Sequence, residues 1–383
     1  MLSHQLEQLT VALEGGPPFA PTDLALLPGT AVAVPTSGST GPPKWTCLPA
    51  EALRASAVGC AQRLGGTGRW LLTLPMERIG GLNVVVRSLL AGFAPLAMPE
   101  GPFRQESFLA AINQAYPQPR YVSLVPTQLA RLLDFGNPTT PNSDTSNLTE
   151  QTIAALANFA AVLVGGAHCP ADLLEQAQRA GICVVRSYGA SETCGGCVYD
   201  GQPFDGVQVV LDGQGNGSHL ISLGGPTVAL GYVSPANAVE AQPPKRPSIV
   251  EQAGQRWFIS NDLGHFDSQQ RLVIDGRADD VIITGGVKVV PQVVEAVIKR
   301  LPAVADAAIV GLNHAQWGQM VSAVVVPTAG GAVTLADLRQ AVTDSLPVAN
   351  APHRLVMVDY LPYRSSGKLD RLAALRLAVL ADK

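Results

Sequence analysis

Lysine and arginine are absent from the first 15 residues, where Glu7 and Glu14 carry the charge. A secretory leader begins with a basic segment, so none is expected here. Basic clusters are lacking elsewhere too. The 26 basic residues of the 383 are outnumbered by 30 acidic ones, giving a formal charge of −4, and nucleic acid is excluded as an expected partner. Cysteine is scarce, with six residues in the chain, which is too thin for a disulfide framework. A reduced, cytoplasmic protein is the expectation. Cys194-Gly-Gly-Cys197 has the spacing of a metal or redox pair, and His168 and Cys169 could complete a ligand set. Neither a second such pair nor an HExxH word exists, so small buried thiols are the expected reading.

Charge is also missing from residues 151–171, close to the roughly 20 residues that span a bilayer. Asn158, Gly165, Gly166, His168 and Pro170 interrupt that run and suit a lipid-facing helix poorly. The end of a helix followed by a buried strand over 161–164 is predicted instead, and no membrane is expected as a partner. What is present is a hydrophobic share of 47% against 15% charged residues, in a chain long enough for two or three domains.

From residue 31 to 185, short apolar runs alternate with amphipathic stretches. Strands are predicted at 31–34, 70–74, 121–125, 161–164 and 182–185. Helices are predicted at 50–64, 82–90, 103–114, 127–133 and 171–180. This rhythm predicts an α/β domain built on parallel sheet flanked by helices. The segment 137–147, rich in Pro, Thr, Asn and Ser, reads as an exposed loop. Past Cys197 come short strands with glycine turns, at 207–211, 219–222, 227–232, 256–260 and 271–274, interrupted by a loop at 234–254. They predict a small β subdomain. The last hundred residues read as a compact α+β unit, with Pro291 opening a helix, strands at 281–284, 307–310, 321–326 and 355–358, and a helical tail. The predicted division is a large domain over 1–278 and a small one over 279–383.

In parallel sheets of this kind, ligands sit beyond the carboxyl ends of the strands, and the unusual words fall there. Thr36-Ser37-Gly38-Ser39-Thr40-Gly41-Pro42-Pro43-Lys44 follows the first predicted strand, Gly165-Gly166-Ala167 the fourth and Ser187-Tyr188-Gly189-Ala190-Ser191-Glu192 the fifth. Alternating hydroxyls and glycines supply closely spaced donors on a backbone free to wrap an anion. The loop lacks the spacing of a Walker A motif, because Pro43 precedes Lys44 and Trp45 follows it. Composition alone leaves open a flexible surface loop.

The wording of that loop resembles the phosphate loop of the adenylate-forming enzymes, the superfamily of acyl-CoA synthetases, aryl-CoA ligases and peptide synthetase adenylation domains. Four further words match that family in order. Tyr188-Gly189-Ala190-Ser191-Glu192 resembles Tyr-Gly-x-Thr-Glu with serine for threonine, and Ser260-Asn261-Asp262 resembles Thr-Gly-Asp with only the carboxylate kept. Gly276-Arg277-Ala278-Asp279-Asp280 with Gly285-Gly286 resembles the interdomain hinge word. Ser365-Ser366-Gly367-Lys368-Leu369-Asp370-Arg371 resembles the catalytic-lysine word. The segments 123–129 and 191–201 are most similar to the short o-succinylbenzoate-CoA ligases of menaquinone biosynthesis.

The resemblance implies an AMP-forming CoA ligase that uses ATP, Mg²⁺ and CoA on an aromatic carboxylate. By this resemblance Thr36, Ser37, Gly38, Ser39, Thr40, Gly41 and Lys44 hold the β and γ phosphates, Ser191 donates to the α-phosphate and Glu192 holds Mg²⁺. Gly165, Gly166 and Ala167 bring backbone to adenine, with Tyr188 against its face. Ser187, Gly189 and Ala190 complete that wall. Asp262 accepts from the ribose, Arg277 reaches ribose or phosphate, and Lys368 is the catalytic cation. Asp279 is the hinge, and Gly285, Gly286 and Lys288 face CoA. Arg78, Thr127, Arg131 and the Gly189 backbone are candidates for the acid pocket.

Two departures stand out. Glu77-Arg78 occupies a place where the family often has an aromatic residue and histidine, and only 35 residues precede the phosphate loop. The second implies a missing N-terminal subdomain and a fold that leans on a partner subunit, as in a homodimer. A ligase for another aryl or acyl acid, and a nucleotide-binding protein without chemistry, are the rival readings. Glu192 and Lys368 together argue against the latter.

Overall fold

The computed structural model of the chain describes residues 2–36, 44–113, 119–134, 143–213, 218–235, 248–363 and 369–381. Ser37, Gly38, Ser39, Thr40, Gly41 and Lys368 lie outside the described residues. The chain is α/β and divides into two compact units. One comprises 1–212, 221–260 and 266–272, and the other 213–220, 261–265 and 273–383.

The first unit is organised by a seven-stranded sheet. In spatial order its strands are Leu96–Ala97, Trp70–Leu72, Tyr121–Leu124, Ala161–Gly165, Val184–Ala190, Gly195–Tyr199 and Gln202–Pro203. The first five run parallel, Gly195–Tyr199 turns back antiparallel to the fifth, and Gln202–Pro203 pairs antiparallel to Gly195–Tyr199 in turn. Apolar side chains on both faces of Tyr121–Leu124 and Ala161–Gly165 require cover on both sides. Helices Gln105–Asn113, Pro126–Leu132, Ser143–Ala157 and Ala171–Arg179 supply one cover, burying Phe108, Leu129, Leu156 and Leu173 against Val122 and Val164. Helices Ala50–Leu64 and Ile79–Leu90 belong to a second cluster, with Leu53, Leu82 and Val86 packed near Leu9, Leu48 and Cys194. Each such side chain contributes about 1.5–3 kcal/mol through burial.

Local chemistry fixes the element ends. Gly65, left-handed at φ 73°, stops the helix Ala50–Leu64. At the start of Pro126–Leu132 the Gln128 amide oxygen accepts from Val125 N at 3.0 Å, while its nitrogen donates to Thr73 O at 3.1 Å. One side chain thus caps a helix and ties it to the neighbouring strand end.

The uncharged run 151–171 is the end of a helix, Ser143–Ala157, and the buried strand Ala161–Gly165. No helix among the described residues is long and apolar enough to cross a membrane. Three sequence expectations need correction. The first strand, Val32–Pro35, is outside the parallel sheet: it forms an antiparallel pair with Trp45–Leu48, which also pairs with Gly231–Val233. An apolar strand reads alike in either setting, so periodicity does not separate them. The segment 137–147 is loop only in part, since the long helix begins at Ser143, and the loop 234–254 contains the strand Ser248–Gln252. A helix at Leu2–Leu13 was not predicted at all. A further five-stranded sheet has the order Gln208–Asp212, His219–Gly224, Gln255–Phe266, Ser248–Gln252, with Leu272–Arg277 also pairing to Gln255–Phe266.

In the second unit, Val287–Val289, Ile282–Thr284, Gly318–Pro327 and Val304–His314 form a sheet in that order, and Arg354–Met357 pairs parallel to Gly318–Pro327. Alternation splits Val304–His314 between two cores. Ala307 and Ile309 pack with Val294, Ile298 and Leu338, whereas Ala308 and Val310 pack with Ala374 and Ala378 of the terminal helix Arg371–Leu380. Pro291 stands at the start of the helix Pro291–Ile298, as expected.

Arg371 joins these layers. Its guanidinium makes a bidentate pair with Glu295, at 2.6 and 3.0 Å, and reaches Asp280 at 2.9 Å. Glu295 is buried and also accepts from Ile309 N at 2.8 Å. Removing the cation strands a buried carboxylate. Arg371→Ala is therefore expected to destabilise this unit by about 3–5 kcal/mol, measured by chemical denaturation, and Arg371→Lys to recover only part because lysine lacks the fork.

Cys194 and Cys197 are both fully buried, and burial pushes the Cys197 thiol up to about 11 and that of Cys194 higher still. Cys183 is exposed. In native protein at neutral pH, iodoacetamide is expected to label Cys183 fast and Cys194 and Cys197 only on unfolding, which peptide mass spectrometry reads directly.

Candidate active site

The strand Val184–Ala190 ends in a single 3₁₀ turn, Ser191–Thr193, and the chain then returns along it as Gly195–Tyr199. The reversal is tight because glycines line it. A Cβ on Gly189 would overlap the Gly195 carbonyl, and one on Gly196 would overlap Ser187 Oγ. Cys194, at the reversal, is left-handed at φ 49°. Two side chains from separate helices hold its carbonyl oxygen: Ser56 Oγ donates at 2.9 Å and Asn83 Nδ2 at 2.8 Å. Thr193 closes the turn, its hydroxyl accepting from Ala190 N at 2.9 Å and donating to Gly195 O at 2.8 Å.

This packing presents Ser191 and Glu192 at the end of the sheet. Glu192 is buried, with 6% of its surface exposed. Its Oε1 accepts from the Tyr232 hydroxyl at 2.8 Å, and its backbone oxygen accepts from Ala229 N at 2.9 Å. Burial, with the nearby Glu192 charge adding to it, pushes the Tyr232 phenol well above its ordinary value, so it stays a donor. Tyr232 lies opposite Thr46 in the three-stranded sheet, and Lys44 Nζ stands 5.8 Å from its ring centre. The last residue of the glycine-rich word and the carboxylate of the Ser-Glu word are therefore joined through one phenol.

The Gly165-Gly166 word lies beside the same strand. Gly165 pairs with Ser187 so closely that a Cβ would fall 2.7 Å from the Ser187 carbonyl oxygen, and Gly166 is left-handed at φ 79°. Gly165, Gly166, Ala167, Ser187, Tyr188, Gly189 and Ala190 thus occupy adjacent carboxyl ends of two parallel strands. Thr36 pairs back to Lys44, donating from its backbone N at 2.8 Å and from Oγ1 at 3.2 Å to the Lys44 carbonyl. That closes the base of the glycine-rich loop.

In the second unit, Arg277 is exposed and bridges two carboxylates, Asp262 at 3.3 Å and Asp279 at 3.5 Å. Gly285 and Gly286, at φ 56° and 82°, form the two-residue tip of a hairpin in which Lys288 pairs with Ile283. Two positive φ values in succession favour glycine at both positions. All three residues are exposed.

The acid-pocket candidates occupy different surroundings. Arg78 is exposed and donates to Pro35 O at 3.5 Å, Thr127 is exposed on its helix, and Arg131 donates to Phe103 O at 3.0 Å. Tyr232, Asn83 and Ser56 were missed from sequence. Tyr232 carried a faint signal, as an aromatic closing a predicted strand after Gly231, but Asn83 and Ser56 sit inside helical patterns that gave none.

Magnesium prefers oxygen donors and commonly takes one or two carboxylates together with substrate phosphates. Among the described residues no group of three or more His, Cys, Asp or Glu could form a complete protein site. A single buried carboxylate beside the base of the glycine-rich loop fits an ion shared with a nucleotide.

The comparisons agree with this geometry. A family model described as AMP-binding enzyme matches residues 16–232, and a second, AMP-binding enzyme C-terminal domain, matches residues 293–368. The chain is similar to the probable 2-succinylbenzoate–CoA ligase of Mycobacterium tuberculosis, with 43% identity over 350 residues, covering 90% of this chain and 84% of that protein. It is 29% identical over 366 residues to the 2-succinylbenzoate–CoA ligase of Bacillus subtilis, covering 89% and 68%. Among solved structures, the Bacillus subtilis o-succinylbenzoate CoA synthetase in complex with its acyl-adenylate intermediate superposes with a TM-score of 0.71 at 27% identity, over 90% of this chain and 69% of that one. The same enzyme with ATP and magnesium gives 0.70 at 28% identity, over 90% and 69%. By these matches, which extend over most of its length, the chain belongs to the AMP-binding enzyme family.

Proposed function

We propose that the chain is a 2-succinylbenzoate–CoA ligase, an ATP-dependent acid–thiol ligase working through an acyl-adenylate in menaquinone biosynthesis. The observation that carries this reading is the 43% identity to a ligase of that name over nine-tenths of the chain, with the buried Glu192 beside Lys44 in support.

Carboxylates are poor electrophiles, so the acid is first joined to AMP. A substrate carboxylate oxygen attacks the α-phosphorus of ATP, the bond to the β-phosphate oxygen breaks, and pyrophosphate leaves. The substrate is its own nucleophile and no Ser-His-Asp set is needed. Thr36, Ser37, Gly38, Ser39, Thr40, Gly41 and Lys44 grip the β and γ phosphates, and Ser191 donates to the α-phosphate as charge builds there. Glu192 would hold the magnesium ion, which when bound neutralises phosphate charge. Gly165, Gly166 and Ala167 bring backbone to adenine, Ser187, Tyr188, Gly189 and Ala190 wall it, and Asp262 and Arg277 serve the ribose. Lys368 meets the carboxylate and α-phosphate oxygens.

In the second half-reaction the CoA thiolate attacks the acyl carbon, the bond to the AMP oxygen breaks, and thioester and AMP are released. Asp279 is the hinge between domains at 1–278 and 279–383, and Gly285, Gly286 and Lys288 face the pantetheine arm. Arg78, Thr127, Arg131 and the Gly189 backbone serve the carboxylate that is not activated. The enzyme acts in the cytoplasm, as a homodimer.

Incubation with ATP, Mg²⁺, CoA and a panel of carboxylic acids is expected to release pyrophosphate and acyl-CoA with 2-succinylbenzoate above all others. Turnover of a fatty acid in its place would overturn the substrate, and no acid-dependent pyrophosphate would overturn the ligase. Lys368→Ala is expected to slow adenylation by roughly 100-fold or more, the scale of losing one preorganised donor. Thiolysis of supplied acyl-adenylate should change little. Light scattering of the full chain reads the dimer.

A further inference from the structure

The ring of Tyr232 touches two groups from different words of the sequence. Its hydroxyl donates to Glu192 Oε1 at 2.8 Å, and its face lies 5.8 Å from Lys44 Nζ. The backbone reinforces both contacts. Tyr232 is in antiparallel register opposite Thr46, Leu230 N donates to Cys47 O at 2.9 Å, and Ala229 N donates to Glu192 O at 2.9 Å. Residues 229–232 are thus stitched on one side to the strand leaving the glycine-rich loop and on the other to the 3₁₀ turn.

A part-buried phenol needs an acceptor, and any backbone carbonyl would satisfy it. Here the acceptor is a carboxylate that is 6% exposed. A carboxylate has about four lone-pair sites, so a hydroxyl donating to one of them biases its orientation. The aromatic face is the ordinary seat for an ammonium group. We propose that Tyr232 is a positioning residue for nucleotide activation, its hydroxyl orienting the Glu192 carboxylate toward the metal and its ring seating Lys44 toward the phosphates. This rests on the reading of Glu192 as the magnesium ligand given above.

The test uses the full chain and two readouts. Calorimetry measures ATP affinity with magnesium and with magnesium chelated, and pyrophosphate release measures half-saturation by magnesium. Tyr232→Phe is expected to reduce the magnesium-dependent gain in ATP affinity about tenfold, the scale of one hydrogen bond to a charged group. It should raise the magnesium half-saturation in parallel and leave metal-free ATP binding within about twofold. Glu192→Gln is expected to move the same quantities, and the double variant to add little to Glu192→Gln, as coupled residues do. Tyr232→Gln keeps a donor but loses the ring. It is expected to retain more of the magnesium gain than Tyr232→Phe and to weaken metal-free ATP binding.

Normal magnesium response in Tyr232→Phe beside a shifted Glu192→Gln would overturn the role of Tyr232 and leave Glu192 as the ligand. An unshifted Glu192→Gln would overturn both. Equal losses with and without magnesium, the same in both Tyr232 variants, would mean a merely structural contact and would also overturn the proposal. If Tyr232→Phe does not fold, Tyr232→Gln against Glu192→Gln decides the matter alone.

Discussion

The site depends on the close antiparallel return of Gly195–Tyr199 along Val184–Ala190. Ser191 and Glu192 occupy a turn that only this approach permits, since side chains at Gly189 and Gly196 would force the strands apart. The reversal is not held by its own backbone alone. Ser56 and Asn83 reach in from two helices to the same Cys194 carbonyl, so the position of the turn is set by the packing of the whole helical layer. Both lone pairs of the buried carbonyl are engaged, from two separate elements, which fixes its direction.

A similar economy is found in the second unit. Arg371 binds Glu295 and Asp280 at once, while Asp279, one residue earlier, is exposed and pairs with the exposed Arg277 at 3.5 Å. Two adjacent aspartates of one 3₁₀ turn, Ala278–Asp280, thus have different surroundings, one exposed and one tied to Arg371. Arg371 is also the last residue of the proposed catalytic word, and Leu369 and Asp370 of that word are tied back to the chain before it, Leu369 bridging to Tyr363 and Asp370 N donating to Pro362 O at 2.8 Å.

The two cysteines with metal-like spacing illustrate how a local pattern misleads. Cys194 sits in the left-handed corner and Cys197 two strand positions beyond Gly195, both buried and both held protonated by their surroundings. Their spacing follows from the reversal and the glycines between them.

The sequence by itself determined the alternation of strands and helices, the α+β character of the last hundred residues, the helix opening at Pro291, and the family words, because each depends on chemistry within a few residues. It left the strand Val32–Pro35 in the wrong sheet and split the helix Ser143–Ala157, since apolar runs and polar composition look the same in several settings. Only the tertiary structure decided that Lys44 and Glu192 meet through Tyr232, and that Ser56 and Asn83 anchor the turn between them. Those contacts join residues distant in sequence, Lys44 with Tyr232 and Ser56 with Cys194 among them. Their geometry exists only once strands have chosen their neighbours, a choice made by the burial of whole faces and not by any local word.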